Sequence, residues 1–542
     1  MKLIIFGLIL LVLVSGCVQI EKSTEMPFGL SNPTTHNEGR EPLNKLGDVL
    51  LDLGLSETNG EAGFVVDSLS RKEEEICENK KCKKVRYDFS DADKLIDEVV
   101  GKGNANLWIV LHPITKNEFT DGKERERGKS FHPDGPVSRQ AYRNYLTALI
   151  NHVNDYGKKK SNNPEWYVAR WNLFNEIKSE YKSTFGDTES AAKAYVNFAV
   201  DSAEIIRKLS PKSKIVLGGL AEGFDILTPN SGDIIFYEAV FKELKASDTE
   251  YAVFDYFENH WFGWLHTYQN NLKDVTVQDI YDFLEKYDYG EKEVLIRAGA
   301  TYTGIDLEER KEFMSTYQTE HDQAEYLVKK FVFNIANGAK KIPWSTIFEH
   351  DIYQGDLHVK FNNMGLIYNG VPNGKGDEKC DPKTWNPCPD PGWGVKKLSY
   401  YSFKKLIEML RGSDWDNIET INTPKDAYAY KFSKNGKTVI VAWWDWWKKC
   451  PRNEKCVNSC INENKGDYMG MDNCVNKCEK DCIEKKQSEI RLNFDSALVT
   501  ETIPKKAVGA EVKYNKDFKS EEIRGNPIKI KLGKTPVYIE AA

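Results

Sequence analysis

The sequence predicts an α/β protein, a (β/α)8 barrel followed by a small antiparallel β-sandwich that carries a disulfide-rich helical-hairpin insertion. Three observations predict it. Eight apolar strand-like runs alternate with amphipathic helical stretches over residues 27–415, which implies a parallel sheet long enough to close. From about residue 416 the pattern changes to short alternating strands with turn signals. Six cysteines between Cys450 and Cys482 interrupt that second part.

Composition bounds what such a chain does. Its 542 residues suffice for one large and one smaller domain, and 40% hydrophobic content builds a packed core. A net charge of -7 leaves no basic footprint, which argues against nucleic acid as a partner. The 26 Tyr and 13 Trp suit core packing and sugar faces alike.

The chain starts "MKLIIFGLILLVLVSGC". Lys2 supplies a positive start, Leu3 to Val14 an apolar run, and Val14-Ser15-Gly16 small residues before Cys17. An uncleaved membrane anchor is the rival reading, but the run is short for a span of about 20 residues. Residues 18–26 read as a polar tether.

Within the barrel, "PFGL" (27–30) is the first strand and "PLNKLGDVLLDLGL" the helix after it. "GFVVDSL" (63–69) is the second strand, "DFSDADKLIDEVVGKG" a helix with an Asp/Ser-rich start, and "LWIVLHP" the third strand. "YVARWNLF", "KIVLGGL", "YAVFDYFENHW", "EVLIRAG" and "KKIPWSTIF" supply strands four to eight. An open doubly wound sheet is the alternative, disfavoured because no glycine-rich phosphate loop follows the first strand. Beyond residue 416, "AYAYKFS" and "KTVIVAW" flank Lys434-Asn435-Gly436, a hairpin signal, and "EIRLNF", "AEVKYN", "IKIKL" and "PVYIEA" complete the β-domain.

Cys17 aside, ten cysteines remain, an even number suited to an oxidising compartment. They are Cys77 and Cys82, Cys380 and Cys388, and the six of the insertion at 448–486. Pairs four apart share a helical face, so two antiparallel helices are expected to be stapled as Cys456–Cys478 and Cys460–Cys474, with Cys450–Cys482 closing the base. A metal knuckle is the competing reading. It lacks a histidine in the segment and the tighter C-x2-C spacing.

Chemistry in a barrel sits at the carboxyl ends of its strands. Asn-Glu occurs five times, but only Asn175-Glu176 follows directly on an apolar strand. His112 ends strand three and His260 strand six. Glu258 lies two residues before His260, Glu222 follows strand five, and Glu349 and Asp351 follow strand eight. No H-x-H or H-E-x-x-H spacing occurs among the nine histidines, so neither a metal nor another cofactor is expected.

These residues resemble the clan A glycoside hydrolases, whose barrels carry Asn-Glu at the end of strand four. "YDFSDADKLID", "HWFG" (260–263) and "IPWSTIF" are similar to further pieces of that family, over most of 27–415. The "VSGC" box likewise resembles a prokaryotic lipoprotein signal, cut before a lipidated Cys17. It implies a secreted protein anchored at the outer face of the cytoplasmic membrane, touching it through that lipid only. The family resemblance implies a carbohydrate ligand, Glu176 as catalytic acid/base, and Asn175 on the substrate's 2-hydroxyl. Trp344 would floor the sugar site, with His112, His260, Trp261, Trp264 and Tyr302 as further substrate-lining candidates.

One position departs from the family. Hydrolysis with retention takes two carboxyl groups about 5–5.5 Å apart. The family's nucleophile comes from "T-E-x-G" at strand seven, and here "I-R-A-G" puts Arg297 in that slot, or Ala298 if the register slips by one. A cation there favours ionised Glu176, the opposite of what a general acid needs. Arg297 is expected to salt-bridge Glu176 or to hold an anionic ligand group. Glu258 and Glu349 are the possible second carboxylates for an inverting enzyme, and a silent glycan-binding barrel is the alternative.

Overall fold

The structure is a computed structural model. It describes residues 25–31, 45–60, 71–74, 77–78, 81–82, 85–87, 89–111, 136–220, 225–261, 263, 265–270, 275–297, 299–304, 317–349, 363–368, 394–464, 467–506 and 510–541.

Eight parallel strands form the first sheet: β1 (Phe28–Ser31), β2 (Glu57–Gly60), β3 (Asn106–Leu111), β4 (Arg170–Glu176), β5 (Lys214–Leu220), β6 (Tyr256–His260), β7 (Glu293–Arg297) and β8 (Ile342–Ser345). Their order is β7-β6-β5-β4-β3-β2-β1-β8. β7 and β8 close the circle: Ile296 N–H donates to the Lys341 carbonyl at 2.9 Å and Gly299 N–H to the Pro343 carbonyl at 3.1 Å. With no free edge left, the sheet is a barrel.

The helices between strands start where the sequence supplies caps. Asp187 accepts from Ser190 N–H at the head of the helix Thr188–Leu209. The helices Val277–Lys286 and Glu320–Ala336 open with capping boxes, Thr276 with Asp279 and Thr319 with Asp322. Each box satisfies two orphan N–H groups of its first turn. Their apolar faces pack on the outside of the strands in one continuous core.

The barrel interior is layered. At the amino end Arg170 pairs with Glu57, and Lys341 pairs with Glu25 at 2.7 Å and Glu57 at 3.2 Å. Above them Trp108, Val216, Tyr256 and Leu295 form an apolar layer. The layer above that is polar, and it is described with the site.

The β-domain has a six-stranded sheet of β9 (Glu419–Thr420), β10 (Ala427–Lys434), β11 (Lys437–Trp444), β16 (Val537–Ala541), β13 (Ser496–Glu501) and β14 (Ser520–Arg524), in that order. A second sheet pairs β12 (Ser488–Leu492) with β15 (Ile528–Leu532). The β10–β11 hairpin turns at Asn435 and Gly436, with φ of 50° and 79°. Both values lie in the left-handed region that such two-residue turns require.

The expected staples are all present: Cys450–Cys482, Cys456–Cys478 and Cys460–Cys474. They hold three short helices, Glu454–Glu463, Tyr468–Val475 and Lys480–Lys485, where two were expected. Cys77 and Cys82 face each other in a two-stranded ladder. Cys17, Cys380 and Cys388 lie outside the described residues.

Three element assignments change. The second barrel strand is Glu57–Gly60, not 63–69, which lie outside the described residues. Its "ETNG" has no apolar signal because Glu57 belongs to the ion-pair layer. In the β-domain, 510–515 is not a strand; a short helix, Tyr514–Asp517, occupies its end. β13 and β14 supply the pairing instead, and β14, "SEEIR", is a polar edge strand without an alternating pattern to announce it. No helix among the described residues is long and apolar enough to cross a membrane.

Candidate functional site

The site forms where β4, β6 and β7 end side by side. The last turn of β4 is irregular: pairing with β5 shifts register between Leu173 and Glu176, and Phe174 has φ of 78°. A left-handed φ is costly for an aromatic residue, and here it re-aims Asn175 and Glu176 toward the barrel mouth. β6 runs in register with β7, Glu258 beside Leu295 and His260 beside Arg297. Glu258 and His260, two residues apart, share the interior face.

Those residues form one chain of contacts. His260 Nδ1 donates to Glu176 Oε1 at 3.1 Å, and Nε2 donates to Glu258 Oε1 at 2.7 Å. Arg297 Nη1 donates to Asn175 Oδ1 at 2.7 Å and to Glu258 Oε1 at 3.1 Å. Asn172 Nδ2 donates to Glu258 Oε2, and Arg297 Nε reaches Ser31 Oγ at 3.4 Å. Glu258 is thus the fully buried hub, with both oxygens occupied.

The electrostatics follow from that wiring. Burial opposes a charge on His260, but its hydrogen bonds to Glu176 and Glu258 outweigh it and push the pKa up to about 9. The same His260 hydrogen bond holds the Glu176 carboxyl below its ordinary value, against burial and with help from the charge of Arg297. At neutral pH Glu176 is therefore ionised and His260 protonated. Gly219 of β5 lies against it: a Cβ there would stand 2.6 Å from His260 Nε2 and 3.0 Å from Glu258 Oε1.

The structure brings together Asn175, Glu176, Glu258, His260 and Arg297 from the sequence-derived candidates. The expected Arg297–Glu176 bridge is replaced by an Arg297–Glu258 pair, because Glu258 sits deeper and between the cations. Glu349 stands apart and is bound by Lys397. The aromatic candidates are core. Trp344 packs 6.2 Å from Phe331 and donates to the Met364 carbonyl at 3.1 Å, while Trp261 donates to the Asn270 carbonyl at 2.6 Å. Tyr302 is buried in the same core. His112, Glu222, Trp264, Ala298 and Asp351 lie outside the described residues.

Asn172 and Ser31 were not foreseen. Asn172 was readable in part, since it lies four residues before Glu176 on the same strand and a polar residue there is out of place in an apolar run. Ser31, at the end of β1, carried no signal.

Chemically, among the described residues the cluster offers one ionised, partly exposed carboxylate, Glu176, beside the fully buried Glu258, whose oxygens are occupied. It is poorly arranged to protonate a leaving group.

No family model matches the sequence, and no curated protein matches it. Solved structures do match the fold. A family 39 glycoside hydrolase from Bacteroides cellulosilyticus WH2 superposes with a TM-score of 0.54 at 13% identity, over 96% of this chain and 81% of that one. A glucosidase from Croceicoccus marinus gives 0.51 at 12% identity, over 95% of this chain and 96% of that one. The closed eight-stranded barrel, its accompanying β-domain and these two likenesses show that the chain has the fold of the clan A glycoside hydrolases.

Proposed function

We propose that this protein binds a poly- or oligosaccharide at the barrel mouth without hydrolysing it by double displacement. The observation that carries the reading is Arg297 at the end of β7, bonded to Asn175 and Glu258 where a retaining enzyme needs a free carboxylate. Glu258 does not stand in for that carboxylate, because Asn172, His260 and Arg297 occupy its oxygens. Glu176, ionised by His260, serves as a hydrogen-bond acceptor for sugar hydroxyls. The protein acts outside the cytoplasm, held at the membrane by a lipid on Cys17; metabolic palmitate label that is lost in Cys17→Ser tests this part.

The deciding experiment measures binding and reducing-sugar release together, on a polysaccharide panel, for the soluble chain from residue 18 and for Glu176→Gln. Binding without release, weakened in the variant, supports the reading. Release by the parent that disappears in Glu176→Gln overturns it in favour of a working glycosidase.

A further inference from the structure

We propose that the disulfide hairpin is a proton-dependent clamp on the head of the helix Glu320–Ala336. It is seated while the buried Asp472 carboxyl holds a proton, and it loosens when that proton is lost to solvent. The clamp acts whatever ligand the barrel mouth takes.

The hairpin helix Tyr468–Val475 meets that head directly. Asp472 Oδ2 accepts from Glu320 N–H at 3.2 Å, and Asn476 Oδ1 accepts from Thr319 Oγ1 at 2.9 Å. Asp472 thus takes up an N–H that the first turn of a helix leaves open. Its side chain is fully buried, and its Oδ1 has no hydrogen-bond partner.

The charges around Asp472 decide which of its forms fits there. Among the described residues, the largely buried cations of this interface are Arg452 of the hairpin and Lys534 of the turn before β16. Arg452 pairs with Asp322 at 2.8 Å and Glu479 at 2.9 Å, and Lys534 with Glu479 at 2.6 Å and Asp322 at 3.1 Å. Burial opposes a charge on Asp322 and Glu479, but the two cations outweigh it and hold both carboxyls below their ordinary values. Two cations are thereby matched by two anions. His321 brings no further charge, since burial, with Lys534 close by, holds its pKa below the ordinary value. Glu320 accepts from the Tyr368 hydroxyl and from Leu398 N–H at 2.8 Å, and burial pushes its carboxyl up. Lys397, whose charge Glu320 also feels, is bonded to Glu349. An ionised Asp472 is therefore a surplus anion. Burial first, then the charges of Glu320 and Asp322, push its carboxyl well above the usual carboxylate range, against the Glu320 N–H and Lys534.

An undocked hairpin returns Asp472 to water, where the carboxyl titrates near 3.8. Docking is then strongest below that pH. It weakens as pH rises, by up to about tenfold per unit, until the docked carboxyl titrates as well. The stretch freed with the hairpin, 317–322, is the chain returning from the end of β7.

Amide exchange of the chain from residue 18, corrected for the intrinsic rate at each pH, tests the clamp between pH 5 and 8. Protection over 317–322 and in the hairpin helices is expected to fall at least about tenfold across that range, with β1 to β6 unchanged. Asp472→Asn, which keeps the shape of the protonated acid, is expected to stay protected and level. Protection in the parent that does not change with pH overturns the proposal. A variant as pH-dependent as the parent overturns the assignment to Asp472. The parent alone gives a second readout, the infrared carbonyl stretch of its protonated carboxyls. That band is expected to fade over the pH range in which protection falls, and a constant band there overturns the proposal.

Discussion

Arg297 at the end of β7 donates to Asn175 Oδ1 at 2.7 Å, joining the end of β7 to the end of β4 across the barrel mouth. In a retaining glycosidase two carboxyl groups face each other across the bond to be cut. Here a guanidinium ties one strand end to the other and sits on Glu258 as well. Glu258 thus depends on two partners at once, His260 and Arg297.

Replacing Arg297 with Gln tests that dependence. Glu258 would be left fully buried with one cation instead of two. Removing one partner of a buried pair costs about 3–5 kcal/mol. Arg297→Gln is expected to lower the denaturation midpoint accordingly, and the double variant Arg297→Gln/Glu258→Gln to recover much of the loss. No recovery in the double variant would refute the coupling.

The pH dependence follows from His260. Its folded-state pKa of about 9 lies above the ordinary 6.5, so its charge stabilises the fold fully below about pH 6.5. That contribution, about 3 kcal/mol at about 1.4 kcal/mol per pKa unit, is lost as pH rises through 9. Glu176 has the opposite sign: its lowered pKa stabilises the fold above about 4.5, and the gain is lost on acidification. Thermal unfolding from pH 6 to 10 should show the parent weakening while His260→Gln, already destabilised, stays level over that range.

How much of this was legible beforehand differs by element. The barrel was, because alternating strands and amphipathic helices leave a periodic trace. The disulfide pairs were, because two cysteine pairs spaced by four can meet across a hairpin, even though the second pair spans the break between two short helices. The second strand was not, since "ETNG" is polar where it joins an ion-pair layer. The roles of Trp344 and Trp261 were not either. Strands of a parallel barrel are apolar on both faces, so sequence does not say which face a tryptophan takes. Glu258 was legible as a carboxylate near the site. That it is the hub depends on Asn172, Arg297 and His260 arriving from three strands, and no local pattern encodes that.

Gly219→Ala probes the packing behind the cluster. The added methyl meets the His260 ring at 2.6 Å, and both Glu258 and His260 are held by other bonds. Overpacking of this kind costs about 1–3 kcal/mol. The variant is expected to shift the His260 ring resonances and their titration below about 9, with glycan affinity reduced. Unchanged resonances would mean that the imidazole has room to yield.

The disulfide hairpin reaches the barrel through one residue above all. Arg452 donates to the Tyr317 carbonyl at 2.8 Å and pairs with Asp322 at 2.8 Å and Glu479 at 2.9 Å. Asp322 belongs to the capping box of the helix Glu320–Ala336, and Tyr317 precedes that helix on the connection from β7. Asn476 adds a contact by accepting from Thr319 at 2.9 Å. The hairpin thus grips the chain that follows Arg297. Its closed loops restrict the unfolded hairpin, an effect worth about 3 kcal/mol for a loop of about 15 residues. Cys460→Ser/Cys474→Ser is therefore expected to speed amide exchange over 317–322 and in the hairpin helices, with β1 to β6 unchanged. Faster exchange confined to the hairpin would show that Arg452 holds without the staple, and Arg452→Ala would then be expected to release 317–322 by itself.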